Sequence, residues 1–417
     1  MLFRSQIQFG TLGGTDTSDA GTAHILNNGG TTSFLASTSA KNATITNGNT
    51  TTGNTNFQDQ STAGNATIVN NNNGTTTFGV PIVGTDTATA GNANITNNAG
   101  GTTVFTAATT AGNAVITNKA GGFLQFGDSG AGASTATAGS ATISNSGTTS
   151  FNANTTAGNS TITTGNGGNV FFFDASTGGS AQFITNAGGT FDMSGLTAAG
   201  MTAGSIAGAG SYVLGAKNLS VGSNNLSSTV SGVISGLGGS LTKTGTGNLT
   251  LSGTNTYSGA TTVNGGTLTV DGSTVASSLT TVNAGGTLAG SGTVGTTAIS
   301  GGTLAPGSTG GSAFGPLTVQ GTLSFTAAST YMVQVSPGMA GITRVMGVTG
   351  AATLGGATVN AVFLPGSFVN RQYTILSASG GLAGTITRDK AGDNWVAAGA
   401  WPKVLAVPRS RRDERAD

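Results

Sequence analysis

The heptapeptide GNATIVN at 64–70 decides the reading of this chain, because it returns as GNANITN at 91–97 and as GNAVITN at 112–118. Looser copies flank these three: GTAHILN at 21–27, KNATITN at 41–47, GSATISN at 139–145 and GNSTITT at 158–164. A further copy, GSAQFITN at 179–186, is read with one extra residue and Ile184 as its anchor. The anchors Ile25, Ile45, Ile68, Ile95, Ile116, Ile143, Ile162 and Ile184 then stand 20, 23, 27, 21, 27, 19 and 22 residues apart. A constant motif at variable spacing is the mark of a solenoid, in which stacked strands hold their register while loops of different length bulge between them.

Each unit carries its own strand pattern. Small residues such as Ala43, Ala66 and Ala93 stand two before the isoleucine, with a Thr, Asn or Val usually between. Period-two alternation puts Ala and Ile on one face and the intervening residue on the other, so the strand is half buried. About ten residues on, a second strand, often led by Thr-Thr, ends in Phe34, Phe57, Phe78, Phe105, Phe126, Phe151 or Phe172. Stacked coils bring these rings together inside, where aromatic burial adds stability. Two residues after the anchor comes Asn27, Asn47, Asn70, Asn97, Asn118, Asn145 or Asn186, with Thr164 as the exception. Repeated amides in one register predict a hydrogen-bonded ladder rather than separate turn preferences.

Composition supports an all-β protein, a right-handed parallel β-helix of stacked coils of 19–27 residues. Charged residues are 6% of the 417, the formal net charge is +1, and Glu414 is the one glutamate. Disordered chains carry high net charge and few β-formers, whereas here Thr, Val, Ile and Phe recur at fixed places. The near-neutral balance also gives no electrostatic footprint for nucleic acid or an anionic membrane. Cysteine is absent, which rules out disulfides and thiolate metal sites and suits a chain that crosses an envelope unfolded. The opening MLFRSQIQFG has no apolar run of secretory length.

Five regions follow along the chain: the Ile/Asn/Phe coils at 1–195, a Gly/Ala/Ser-rich transition at 196–237, a second repeat type at 238–310, a cap at 311–385 and a dissimilar tail at 386–417. In the third region GGTL recurs at 265, 285 and 301 as a turn leading into a strand. The cap reading rests on the larger apolar residues Phe325, Tyr331, Met332, Tyr373 and Leu376, with turns at Pro337 and Pro365. More apolar burial per residue there makes this end the expected start of folding. The tail holds Trp395, Trp401, Arg409, Arg411, Arg412 and Arg415, and reads as a truncated or frame-shifted end.

At 241–270, LTKTGTGNLTLSG followed by NTYSGATTVNGGTLTV resembles the passenger-associated β-strand repeat of autotransporters. The stretch 285–385, with GGTLAGSGTV, GGTLAPG and YTILSASGGLAGT, is similar to the region that precedes the translocator in that family. The resemblance implies a secreted or surface-displayed passenger of a Gram-negative bacterium, associated with the outer membrane, structural or adhesive in role. It implies a ligand on a host or neighbouring cell and a β-barrel translocator that this sequence does not hold, since too few residues follow Gly384 for a membrane barrel.

Chemistry-bearing patterns are sparse. Gly127-Asp128-Ser129-Gly130 resembles a serine-protease nucleophile motif, with His24 upstream and Asp59 or Asp86 between. Yet His24 stands at the outward position that Thr44 and Thr67 fill in other coils, four repeats from Ser129 and beyond hydrogen-bond reach. Asp59, Asp86, Asp128, Asp174 and Asp192 follow the phenylalanine strand and read as turn residues. No calcium-binding nonapeptide and no phosphate-binding strand-turn-helix is present. The sequence therefore assigns no catalytic, cofactor-binding or metal-binding residue, no cofactor and no small-molecule substrate. The competing class is a β-helix enzyme acting on polysaccharide through clustered carboxylates.

Overall fold

A computed structural model describes residues 6–80, 85–128, 134–307, 316–335, 346–363 and 372–388, and the backbone of 396–398 and 403–408. Two compact units divide the chain, Met1–Leu219 and Ser220–Asp417. Strands and turns make up the described residues of both.

In the first unit two long parallel sheets follow from the two recurring strands. One, here the isoleucine sheet, stacks His24–Asn27, Thr44–Asn47, Thr67–Asn70, Asn94–Asn97, Val115–Asn118, Thr142–Asn145, Thr161–Thr164, Gln182–Thr185 and Ser205–Ala207. The other, the phenylalanine sheet, begins with Gln6–Phe9, Thr31–Phe34, Gly53–Phe57 and Gly74–Phe78 and continues through each later coil. A third side is a single column of bridges, Asp19, Ser39, Thr62, Thr89, Thr110, Thr137, Thr156 and Thr177. Pairing runs without slip, Ile45 against Ile68, Ile68 against Ile95 and Ile95 against Ile116.

The interior is built from identical residues one coil apart. Phe9, Phe34, Phe57, Phe78, Phe105, Phe126, Phe151 and Phe172 form a continuous stack with ring centroids 4.6–4.9 Å apart and planes within 8°. The spacing is that of hydrogen-bonded strands, so a flat side chain repeated in register has to stack. Beside it runs the asparagine ladder. Asn27 Nδ2 donates to Asn47 Oδ1 at 2.8 Å, Asn47 to Asn70 at 2.8 Å, Asn70 to Asn97 at 2.9 Å and Asn118 to Asn145 at 2.9 Å. Buried hydroxyls close three of the rungs: Thr55, Thr76 and Thr103 donate to Asn47, Asn70 and Asn97 at 2.7–2.8 Å. Leu124 takes the next threonine position, and there Asn97 Nδ2 donates instead to the Phe123 carbonyl at 2.8 Å. Every amide donor thus keeps a protein partner, the condition for burying it at little cost.

One register assignment from the sequence is corrected. Phe183, not Ile184, pairs with Ile162 and points inward, while Ile184 lies opposite Thr163 on the outer face. The unit therefore has no extra residue, Thr185 follows Thr164 in the ladder column, and Asn186 falls one place beyond it. The amide ladder is six asparagines long, from Asn27 to Asn145. The ladder asparagines also lie in strands rather than in left-handed turns. At this coil the aromatic column changes hands: Phe191 enters the inner position held by Val170 and packs tilted against Phe172 and edge-on against Phe183.

Turns between the bridge column and the isoleucine sheet use Thr-Ala-Gly. Thr62 Oγ1 accepts the Gly64 N–H at 3.0 Å, and Thr89, Thr110, Thr137 and Thr156 do the same for Gly91, Gly112, Gly139 and Gly158. These glycines sit near φ +60°, and a Cβ on Gly112 would meet the Gly91 carbonyl at 2.7 Å. Lys41 holds the same place with φ 51°.

The second unit is a three-sheet coil of the same parallel kind. Leu249, Leu268, Leu288, Leu304 and Tyr331 form one inner column. The step from Leu288 to Leu304 is 16 residues and that from Tyr331 to Val359 is 28, so coil length ranges more widely than the leading repeats suggest. Phe325, Tyr331 and Leu376 are buried as read from the sequence, but Met332 faces outward at 38% exposure. Alternation forces this, because Met332 lies between inward Tyr331 and Val333. Tyr373, Pro337 and Pro365 lie outside the described side chains. Lys403–Pro408 runs antiparallel to Gln372–Ala378 and covers that strand's outer edge.

Replacing Phe105 with Ala opens a hole in the ring stack and is expected to cost about 3–5 kcal/mol, whereas Val104→Ala on the outer face stays within about 0.5. Denaturant midpoints of the two purified variants check this; equal shifts would remove the stack from the core.

Candidate functional site

The residues that carry chemistry are dispersed. His24 is exposed on the outer face of the isoleucine sheet, in register with Thr44. Asp128 lies past the end of the strand Phe123–Phe126, and burial pushes its carboxyl up from the ordinary value. Ser129 lies outside the described residues. Among the described residues no three acidic or histidine side chains come close enough to hold a metal ion, and no helix is long and apolar enough to cross a membrane.

The aspartates instead tie coil to coil. Asp59 Oδ2 accepts the N–H of Ala36 at 2.8 Å, Asp86 Oδ1 accepts that of Asp59 at 3.0 Å, and Asp174 Oδ2 that of Ala153 at 2.9 Å. Ala36, Asp59 and Ala153 all have positive φ, from 53° to 57°. A left-handed residue turns its N–H out of the ladder, and the carboxylate of the next coil captures it. The sequence signalled turn residues; it missed that the bonds reach across a coil rather than back to the aspartate's own turn. Asp192 and Asp19 keep the local form, accepting the N–H of Ser194 at 2.8 Å and of Gly21 at 2.9 Å.

The motif at 241–270 is likewise built inward. Lys243 is buried, and its Nζ donates to the carbonyls of Thr244 at 2.6 Å, Gly265 at 3.2 Å and Gly245 at 3.3 Å, so the ammonium occupies a corner lined by turn carbonyls. Burial pushes its pKa down. Asn255 is also buried: its Oδ1 accepts the Ile234 N–H at 3.0 Å and its Nδ2 donates to the Ser273 carbonyl at 3.1 Å. Tyr257 shares a hydrogen bond with Thr261 at 2.7 Å, which in turn contacts Ser277 at 2.9 Å. The distinctive residues of the motif hold corners of the coil, and none of them is presented for chemistry.

Among the described residues an open groove of about 890 Å³ lies on the outer face of the phenylalanine sheet. Gln6, Thr31, Ser33, Asn54 and Asn56 form its floor as outward members of three adjacent strands. Its wall is the turn from Thr50 to Thr52, in a connection of five residues between Asn47 and Gly53 where the neighbouring coils use three. Asn28 pins that wall, accepting the Thr51 N–H at 3.1 Å and hydroxyl at 2.9 Å. Among the described residues its side-chain lining is amide and hydroxyl, with neither a charge nor an aromatic ring. Such a groove can offer hydrogen bonds to a polar, uncharged ligand. The inserted residues were visible in the sequence as a count, but a loop length does not say which face it overhangs.

Residues 241–270 match the family model described as the passenger-associated-transport-repeat. Among solved structures, a TibC-catalysed, hyper-glycosylated fragment of TibA covers 91% of this chain and 97% of its own length at 16% identity, with a TM-score of 0.23. No curated protein matches the chain.

The buried phenols give a pH signature. Desolvation raises Tyr257 and Tyr212 from about 10 to about 12. A raised folded pKa contributes stability that is complete below the free phenol's value and is lost as pH climbs through the folded one. Unfolding free energy should therefore fall between pH 10 and 12, with phenolate absorbance appearing together with loss of β-sheet circular dichroism. Phenolate formation by Tyr257 or Tyr212 at pH 10 in an intact fold would contradict the burial.

Proposed function

We propose that this chain is part of an autotransporter passenger, a β-helix exported to the surface of a Gram-negative cell, whose role is display and attachment rather than catalysis. The observation that carries the reading is the match at 241–270, in which the motif residues form the strands Ser240–Lys243, Asn248–Leu251, Thr261–Val263 and Gly266–Val270 of successive coils. An export repeat used as a structural course of the solenoid fits a protein whose product is the solenoid itself. The dispersal of the aspartates into inter-coil bonds supports a non-enzymatic role. The uncharged groove beside Thr50 and Thr51 is the place assigned to a polar ligand from a host or neighbouring cell. Residues 311–385 are read as the cap from which folding starts.

The test supplies the chain with a signal peptide and a β-barrel translocator in a Gram-negative host. Surface labelling of intact cells and cell-to-cell aggregation are the expected results. Retention inside the cell, with the translocator correctly inserted, would contradict the passenger reading. Release of reducing ends from a panel of polysaccharides by the purified chain would overturn the non-enzymatic reading in favour of a β-helix hydrolase or lyase.

A further inference from the structure

We propose that the outer face of the isoleucine sheet in the first unit is an ice-binding surface. Across six consecutive strands this face carries two straight rows, Thr44, Thr67, Asn94, Val115, Thr142 and Thr161 in one and Thr46, Val69, Thr96, Thr117, Ser144 and Thr163 in the other. Every member is exposed or half-exposed, and each is the direct register partner of the next. Nine of these 12 positions bear hydroxyls, two are Val and one is Asn. None is charged. His24 and Gln182 occupy the same column at its two ends, so the clean array is bounded by them.

What the array does follows from its regularity. Hydroxyls repeat about 4.8 Å apart along the stack and about 6.7 Å apart across it, the distance of a two-residue step along a strand. The first repeat is close to the oxygen repeat along the a axis of hexagonal ice, so adjacent hydroxyls of a row can meet adjacent lattice sites. Threonine is stiff at χ1, which fixes hydroxyl and methyl before any contact is made and lowers the entropy lost on binding. None of the nine hydroxyls is engaged by another protein group among the described residues, in contrast to the bridge column, where Thr62, Thr89 and Thr110 are committed to glycine N–H groups. The methyls of Val69, Val115 and the threonines leave little for liquid water to hold, while the hydroxyls anchor an ordered layer. The ring stack and the asparagine ladder behind the sheet keep the rows straight. The outer face of the phenylalanine sheet lacks this uniformity, since Phe123, Gln125 and Phe171 interrupt its rows.

This inference does not depend on the passenger reading. The full chain is tested for incorporation into a slowly growing ice hemisphere and for thermal hysteresis. It is expected to enter the ice and to shape crystals, whereas an inert globular protein is excluded. Thr96→Tyr with Thr117→Tyr, and separately Thr67→Tyr with Thr142→Tyr, should bring both readings down to the inert control. Thr102→Tyr with Thr148→Tyr on the phenylalanine sheet should leave them unchanged, and all three variants should share the parent's melting curve, since Tyr suits exposed strand positions. Exclusion of the parent from ice overturns the proposal. So does loss of activity in the phenylalanine-sheet variant alone, or binding to crystalline cellulose without binding to ice.

Discussion

Whatever points inward in this molecule has a copy of itself, or a substitute of compatible shape, one strand spacing above and below it. That single translation selects the interior. A flat ring can stack upon itself, as Phe34 on Phe57 at 4.8 Å does, and an amide can donate to the next amide while accepting from the last. A charged side chain cannot be repeated this way, since like charges one strand spacing apart in a dry core repel strongly. The absence of like-charge columns from the inward positions follows from the stacking. Lys243 is the informative exception: Val263 follows it in its column, and its ammonium turns to backbone carbonyls instead of to another charge.

The same rule explains how much was legible in advance. Positions filled by identical residues, such as Ile95 over Ile116 or Phe105 over Phe126, announce both register and facing. Legibility fails where the column changes occupant. At 179–186 the tripeptide Ile184-Thr185-Asn186 imitates the earlier Ile-Thr-Asn, and only burial of the larger Phe183 beside Phe172 and Phe191 decides the frame. Sequence similarity pulled one way and the space left at the end of the ring stack pulled the other. Met332 was misplaced for a simpler reason: apolarity was read without alternation.

Inter-coil bonds were the second blind spot. Asp59 and Asp174 looked like local turn formers, and their partners proved to be one coil away. Such bonds join residues separated by a variable loop, so no fixed spacing in the sequence reports them. For the groove, the inserted turn at 48–52 was countable, but its placement over Thr31 and Asn54 required the stack to be built first.

Methyl-labelled isoleucine in the otherwise deuterated 417-residue chain offers the most direct test of the register on which everything else rests. The account predicts an unbroken series of methyl-to-methyl nuclear Overhauser contacts, Ile25 to Ile45, Ile68, Ile95, Ile116, Ile143 and Ile162 in that order, with Ile184 outside the series. A contact between Ile162 and Ile184, or a break in the series between any two neighbouring coils, would contradict it.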